Sequence, residues 1–291
     1  MTIAIIVIII LINIYFLAHL FHDLWQHRHH IMQEPASNFW EPVAMIIIYF
    51  LATFGVSDFA LSTSLYHKTK WVSTKNLPGT LNIQDATPIF VTALIYLSNA
   101  KVGLKTLITC VICQVIGAYL GPHLVAKLSA MVIKRGVIAG LLLAAGAILI
   151  GKLGLIPQNG TALQLSGWKL ILTGGLLFIF GALNNLGIGC FALTMATVYA
   201  MGMSPVAAFP IMMCSSTCSV ATGSIQFIKI GNYSKKIALF SFFGIIGVLI
   251  AAFLVKHLNI ALLNWIVIAV ILYSAISMWW DDRKDNRAAN N

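Results

Sequence analysis

Charged residues are scarce in this sequence: Asp, Glu, Lys and Arg make up 9% of its 291 residues, while hydrophobic residues make up 59%. Soluble domains carry about 25% charged residues, because their surfaces must be hydrated. The composition therefore excludes a soluble globular protein. It predicts an all-α polytopic membrane protein, since apolar windows of span length recur at about 3–20, 41–66, 80–98, 104–122, 132–151, 168–200, 206–228, 236–256 and 260–279.

Long polar segments are also absent, so no loop is large enough to fold as a soluble catalytic domain. We therefore expect a protein that is not an enzyme and that needs no cofactor. The first window is too long for a signal-peptide core and lacks a small-residue cleavage site, so we expect a retained span.

Cysteines are few and odd in number, and all five lie inside apolar segments: Cys110, Cys113, Cys190, Cys214 and Cys218. This pattern argues against a disulfide framework. The Cys110-x-x-Cys113 spacing leaves open an intramembrane thiol-redox enzyme, although such chemistry requires accessible thiolates.

The net charge of +10 does not indicate a nucleic-acid partner, because the basic residues lie at the ends of apolar windows. There, Lys and Arg anchor spans and set their orientation. The expected partner is the lipid bilayer of the cell membrane, crossed several times, with the charged tail at 281–291 in the cytoplasm. A homo-oligomer is possible on this evidence. If every window crosses the membrane once, a cytoplasmic tail places the basic loops at 67–75 and 123–135 on the outer side, which conflicts with the positive-inside rule.

An internal repeat connects two stretches of the chain. FGVSDFALSTSLYHKTKWVS, at 54–73, aligns without a gap with LGIGCFALTMATVYAMGMSP, at 186–205, and Pro78 then falls on Pro210. IGAYLGPHLVAKL, at 116–128, further resembles IGVLIAAFLVKHL, at 246–258. Duplicated halves are typical of secondary transporters, whose substrate site lies where Gly/Pro-interrupted segments of the two halves meet.

The repeat predicts an organisation with two homologous halves of about four hydrophobic segments each, containing broken or re-entrant helices. The expected units are an N-terminal span and His-rich segment at 1–39, a first repeat at 40–151, a linker at 152–167, a second repeat at 168–280 and the tail at 281–291. Parallel and inverted repeats both remain open, because a segment that enters the membrane and returns changes the parity.

The interrupted segments supply the candidate substrate site. Non-helical backbone in a membrane survives only inside protein or beside a water-filled cavity, and a broken helix exposes N–H groups that suit an anion. The candidate ligands are Asn184, Asn185, Gly187, Gly189, Ser215, Ser216 and Thr217 in the second half, and Gly55, Ser57, Thr80 and Asn82 in the first. Pro78 and Pro210 are candidate hinges or helix breaks.

Two acids within the apolar segments, Asp58 and Asp85, are candidates for coupling transport to protons, because an intramembrane acid is costly and commonly functional. A cation or transition-metal permease is the alternative, using these acids and the His-rich stretch HLFHDLWQHRHH at 19–30. Membrane anchoring explains that stretch equally well, so we assign no metal ligand.

The paired glycine elements, the later prolines and the Ser/Thr-rich helix starts resemble the sulfite exporter TauE/SafE family of membrane permeases. The resemblance covers about residues 40–280 and is strongest over GALNNLGIGCFALTMATVYAMGMSPVAAFPIMMCSSTCS, at 181–219. It implies secondary transport of a small sulfur-containing anion such as sulfite or a sulfonate. Cys190-Phe191 and Ser57-Asp58 depart from the glycine pattern of the family.

Overall fold

The computed structural model describes residues 2–53, 57–96, 102–129, 131–133, 135–136, 138–139, 142, 146, 149–150, 160–187, 189–254 and 276. In these residues the chain is helical and forms no β-strand, apart from an isolated parallel bridge between Ala162 and Met203. The helices are α1 (Thr2–Gln26), α2 (Trp40–Ala52), α3 (Asp58–Thr69), α4 (Leu77–Tyr96), α5 (Leu104–Val125), α6 (Gly167–Asn184), α7 (Phe191–Ala200), α8 (Pro205–Ile230), α9 (Lys235–Phe240) and α10 (Phe243–Leu254).

Five described stretches are long and apolar enough to cross a membrane: Ile6–Gln26, Leu104–Val125, Gly167–Asn184, Pro210–Ile230 and Lys235–Leu254. The predicted all-α membrane class is thereby confirmed. The window at 41–66 is two helices, α2 and α3, rather than one segment. The window at 260–279 lies outside the described residues except at Ile276.

Helices α4 and α8 form the centre of the protein. The span of α8 is 94% buried, against 22–44% for the other four candidate spans. Every residue of α4 from Leu77 to Ile89 is buried, including its polar ones. Because neighbouring helices shield α4 and α8, these two can carry the polar side chains that a lipid-facing helix could not.

The two central helices run antiparallel. Gly79, at the start of α4, packs so closely on the loop after α8 that a Cβ there would lie 2.1 Å from the carbonyl oxygen of Asn232. Beside it, the Ser234 N–H donates to Thr80 Oγ1 at 2.9 Å. We define surface A as the end of the molecule formed by residues 23–34, 70–76 and 231–234.

Surface B is the opposite end, formed by residues 102–103, 160–166 and 201–204. The Gly103 N–H donates to the Leu163 carbonyl at 2.8 Å, and the Ser204 N–H donates to the Ala162 carbonyl at 2.9 Å. The start of α5, the start of α6 and the link from α7 to α8 therefore meet at this end.

Helices α2 and α3 form a hairpin that starts and ends at surface A. The Tyr66 hydroxyl, near the end of α3, contacts Glu41 Oε1, in the first turn of α2, at 2.8 Å. Each helix is about 20 Å long, too short for a hydrocarbon core of about 30 Å. Neither arm of the hairpin is therefore long enough to cross a membrane by itself.

Helices α6 and α7 form the corresponding hairpin from surface B. Lys169 Nζ, at the start of α6, donates to the Met201 carbonyl, just after α7, at 3.2 Å. Helix α2 ends at Ala52 and α6 ends at Asn184, a shift of 132 residues that also relates Pro78 to Pro210. The ends of these two helices thus show the same shift as the sequence alignment, and the two hairpins start from opposite ends of the molecule.

One helix of each predicted half packs against the first helix of the other half. A Cβ on Gly117 of α5 would lie 2.0 Å from the Phe178 carbonyl oxygen of α6. In the corresponding place, a Cβ on Gly247 of α10 would lie 2.1 Å from the Ile46 carbonyl oxygen of α2. Such small-residue contacts let membrane helices approach closely, so each hairpin is held by the other half.

We expect Gly117→Ala to lower the stability of the folded protein by about 1–3 kcal/mol, because the added methyl group must push α5 and α6 apart. Gly175→Ala is the matched control, since Gly175 lies exposed on α6 and a Cβ there meets no atom within 4 Å. Thermal unfolding in detergent measures both. Equal melting temperatures for the two variants would contradict the close packing.

The N-terminal segment is attached to the second half at surface A. The Glu34 carboxylate accepts from the backbone N–H groups of Lys235 and Lys236, at 3.0 and 3.1 Å, and from the Ser234 hydroxyl. The Tyr233 hydroxyl donates to Asp23, and burial together with that neighbouring carboxyl raises the pKa of Tyr233. Glu34 therefore caps α9 from outside the repeat.

Candidate functional site

The tips of the two hairpins meet inside the protein. A Cβ on Gly189, in the second tip, would lie 3.8 Å from Ser57 Oγ and 3.8 Å from Phe59 Cβ, both in the first. Gly187 adopts φ +89°, a left-handed conformation that glycine tolerates and other residues rarely adopt. The interrupted segments that correspond in sequence are thus neighbours in space. Gly55 lies outside the described residues.

Asn184 holds the second tip through both ends of its amide. Its Nδ2 donates to Asn82 Oδ1 at 2.8 Å, and its Oδ1 accepts from the Cys190 N–H at 3.1 Å. Asn82 Nδ2 donates back to the Asn184 carbonyl at 3.3 Å and to the Pro78 carbonyl at 2.9 Å. The two asparagines therefore connect α4 of the first half to the helix break of the second.

The first tip brings two carboxyl groups together. Asp58 begins α3 and Asp85 lies in the middle of α4, and their side chains are adjacent, with exposures of 6% and 3%. Each carboxyl has an oxygen, Oδ2, with no hydrogen-bond partner. Buried polar atoms normally find partners, so these oxygens mark a place where a proton, a water molecule or a ligand fits.

The second tip carries neutral polar groups in the corresponding place. Gln114 Nε2 donates to Cys190 Sγ at 3.1 Å and to Ser219 Oγ at 3.3 Å, and the Cys190 thiol lies 3.4 Å from Ser216 Oγ. Thr217, which corresponds to Asp85 in the repeat, is fully buried with an unpartnered hydroxyl. Both aspartates lie near the Cys190 thiol, so the two groups of side chains form one region.

The two helices that begin at the tips differ at their N-termini. Ser57 Oγ accepts from the Ala60 N–H at 3.3 Å, and the Asp58 carboxyl also interacts with the first backbone N–H groups of α3. Helix α7 begins after Cys190 and has no side-chain cap. Of these two helices, α7 is therefore the one without an acidic side chain in its first turn. A helix N-terminus attracts anions.

Several predicted site residues make other contacts. Thr80 bonds to Asn76 and Ser234 near surface A, and Ser215 Oγ donates back to the Ile211 carbonyl at 2.6 Å. Asn185 Nδ2 donates to the Gly181 carbonyl at 2.8 Å, leaving its Oδ1 unpartnered. These contacts place Thr80 and Ser215 in helix packing.

The helix breaks do not coincide with the prolines. Pro78 lies in the first turn of α4, where its missing N–H costs no helical bond. Helix α8 continues through Pro210. The interruptions lie instead at the hairpin tips, between Ala52 and Asp58 and between Asn184 and Phe191.

Four residues of this region were missed as site residues: Glu41, Tyr66, Gln84 and Gln114. Glu41 has 0% exposure although it lies in the first turn of α2. Gln114 also has 0% exposure and is the only strongly polar residue in the middle of its apolar window. An isolated amide within a span is a signal that the sequence did contain.

The next contacts concern the two alternatives to anion transport, which are a metal permease and a thiol-redox enzyme. In the described part of the chain, no three His, Cys, Asp or Glu side chains come together as a metal ion would need. In the His-rich stretch, His22 bonds to Gln26 at 2.9 Å and His27 to the Asp23 carbonyl at 2.9 Å. All five cysteines are free, and Cys110 is fully buried between α5 and its neighbours.

These features define an integral membrane protein with two helical hairpins whose tips meet at a buried polar site. Residues 170–291 match the family model for the sulfite exporter TauE/SafE family, which confirms the predicted resemblance in the second half of the chain. The match indicates a membrane transporter, and this fits a non-enzymatic protein. Comparison with the curated proteins and with the solved structures gave no match.

Proposed function

We propose that this protein is a multi-pass secondary transporter of the cell membrane that moves a small sulfur oxyanion, such as sulfite or an organosulfonate, together with a proton. The meeting of the two hairpin tips is the observation that carries the proposal. Transporters bind substrate near the midplane between such helix ends. The family match in the second half supports the sulfur oxyanion.

The anion site in this proposal is the uncapped start of α7. The side chains around it that can donate hydrogen bonds are uncharged: the amide of Gln114 and the hydroxyls of Ser216 and Thr217. Donors of this kind satisfy the oxygens of an oxyanion without a buried lysine or arginine, and preformed hydrogen bonds to a charged group are strong. Asn82 and Asn184 hold the backbone of the break in place.

The proton site is the Asp58–Asp85 pair. Two adjacent buried carboxylates repel each other, so the pair holds at least one proton and titrates as a unit. An anion bound nearby makes a second negative charge still less favourable. Anion binding and proton binding therefore reinforce each other, and this reciprocity is the physical basis of coupling.

The basic residues orient the molecule in this proposal. Surface A carries Arg28, Lys68, Lys70, Lys75, Lys229, Lys235 and Lys236 at or near it, whereas the described part of surface B carries Lys105 and Lys169. The positive-inside rule then places surface A in the cytoplasm. Because the hairpins return to their own side, the basic loop at 67–75 no longer conflicts with a cytoplasmic tail.

Uptake into proteoliposomes tests the proposed function. Liposomes loaded with unlabelled sulfite and containing the purified protein should accumulate radiolabelled sulfite above protein-free liposomes, and isethionate, a small sulfonate, should compete. The cation-permease alternative predicts uptake of Zn²⁺ or Na⁺ instead. Liposomes that take up neither sulfite nor a sulfonate would contradict the proposal.

A further inference from the structure

A third buried acid, Glu41, lies between the hairpin tips and surface A. Its side chain is fully buried, with Oε1 at 2.8 Å from the Tyr66 hydroxyl and Oε2 without a partner. A carboxylate buried with a single hydrogen bond is expensive, and such acids are normally protonated or paired. The free Oε2 of Glu41 can therefore hold a proton, a role that packing of the hairpin does not require.

The hydrogens in this region can be counted. Gln84 Nε2 donates to Ser62 Oγ at 2.6 Å, which leaves Gln84 Oε1 to accept from the Tyr66 hydroxyl, also at 2.6 Å. Tyr66 has one hydrogen, so it can donate to Glu41 Oε1 or to Gln84 Oε1 but not to both at once. If it donates to Gln84, a protonated Glu41 can donate to the Tyr66 oxygen. A protonated Glu41 completes the chain. When Glu41 loses its proton, Tyr66 must turn its hydrogen from Gln84 to the carboxylate.

This chain of groups leads towards the carboxyl pair. Asp58, Ser62 and Tyr66 lie four residues apart on one face of α3, one turn after another. Ser62 therefore lies one turn from each of the other two, and its Oγ accepts from Gln84 Nε2 at 2.6 Å. The unpartnered oxygens of Asp58, Asp85 and Glu41, all at least nine-tenths buried, mark both ends of the chain as incomplete without a proton or a ligand.

We propose that Glu41 is the proton-exchange site on the surface A side, and that it passes protons to the Asp58–Asp85 pair through Tyr66 and Ser62. This inference rests on the proposed function. In each transfer, Tyr66 turns its hydrogen from Gln84 Oε1 to Ser62, Ser62 passes its own hydrogen to the Asp58 carboxylate, and Glu41 gives its proton to the Tyr66 oxygen. Gln84 positions the two hydroxyls, and the transfer leaves Glu41 ionised until it takes a proton from surface A.

The groups that face Glu41 fit this role. The titratable side chain in contact with Glu41 is Tyr66 of α3. Helix α10 contains no titratable residue. On α9, the Lys236 ammonium is engaged by the Met32 and Glu34 carbonyls, and that of Lys235 lies 3.7 Å from Asp23. In this arrangement neither lysine is paired with Glu41.

Two transport modes separate this inference from the proposed function. Sulfite exchange at equal pH requires no net proton movement, whereas accumulation driven by a pH gradient does. We expect Glu41→Gln and Tyr66→Phe to reduce gradient-driven accumulation about tenfold or more relative to exchange. Tyr119→Phe, which removes an exposed phenol from α5, should behave like the wild type.

The possible outcomes are distinguishable. A wild type that exchanges no sulfite contradicts the proposed function itself. A wild type that couples to the gradient, together with Glu41→Gln and Tyr66→Phe variants that couple equally well, overturns the role of Glu41 alone. Infrared difference spectra on raising the pH give a second readout. The inference predicts that the wild type loses one protonated-carboxyl band that Glu41→Gln does not lose, beside any band of the Asp58–Asp85 pair that both proteins share. Identical difference spectra for the two proteins would overturn it.

Discussion

Asn184→Leu should abolish sulfite uptake while the protein still inserts into the membrane. The substitution removes both partners that hold the second hairpin tip, leaving Asn82 Oδ1 and the Cys190 N–H unpaired. Each buried group left without a partner costs about 1–3 kcal/mol. Both unpaired groups lie at the break between α6 and α7. We therefore expect the backbone at the start of α7 to rearrange and to lose the geometry that the anion requires.

Asn13→Leu is the matched control for this substitution. Asn13 is equally buried, at 1% exposure, but its amide donates only to the Ile9 carbonyl of its own helix, α1. Uptake and the yield of monodisperse protein should stay near wild type in this variant. Asn82→Leu should also lower uptake, because it removes the same Asn82–Asn184 hydrogen bond, but by less, because the bond from the Cys190 N–H to Asn184 remains. Wild-type uptake by Asn184→Leu would contradict the assignment.

Asp58→Asn should separate anion movement from proton movement. The amide cannot exchange a proton, so a pH gradient no longer drives accumulation, whereas one unit of pH gradient corresponds to about tenfold in a coupled wild type. Asp85→Asn should have the same effect, because the pair titrates as a unit. The measurement is the accumulation ratio of radiolabelled sulfite with and without the gradient.

The control for these variants is Asp23→Asn. Asp23 is also an acid of a membrane helix, but it contacts Tyr233 and Lys235 at surface A, away from the hairpin tips. Gradient-driven accumulation should survive in Asp23→Asn. If Asp58→Asn accumulates sulfite as the wild type does, the carboxyl pair is not the coupling site.

The hairpin tips could be recognised in the sequence because their chemistry is local. Adjacent asparagines and spaced glycines in an apolar run, repeated in part at 54–73, indicate either a protected break or close packing of small residues, and the asparagines favour the break. The polar residues that follow the paired prolines were likewise predicted to lie at the site. In each case a side chain that lipid cannot accommodate sits within a window that must lie in the membrane.

Other features depend on contacts that no local pattern encodes. Glu41 looked like the first residue of the window at 41–66, and only the return of α3 to surface A brings Tyr66 beside it. The close approach of Gly117 to Phe178 and of Gly247 to Ile46 joins different halves of the chain. The opposite orientation of the two hairpins could not be derived either. If a segment can return to its own side, the charges of the loops fit an odd or an even number of membrane crossings in each half.

The central claim is that the anion and the proton bind together where the hairpin tips meet. Calorimetric titration of purified protein with sulfite, in two buffers of different ionisation enthalpy, counts the protons taken up on binding. Comparison with Asp58→Asn cancels the protonation of sulfite itself. The account predicts that the wild type takes up more protons per bound sulfite than Asp58→Asn does. Equal proton uptake by the two proteins, at measurable sulfite binding in both, would contradict it.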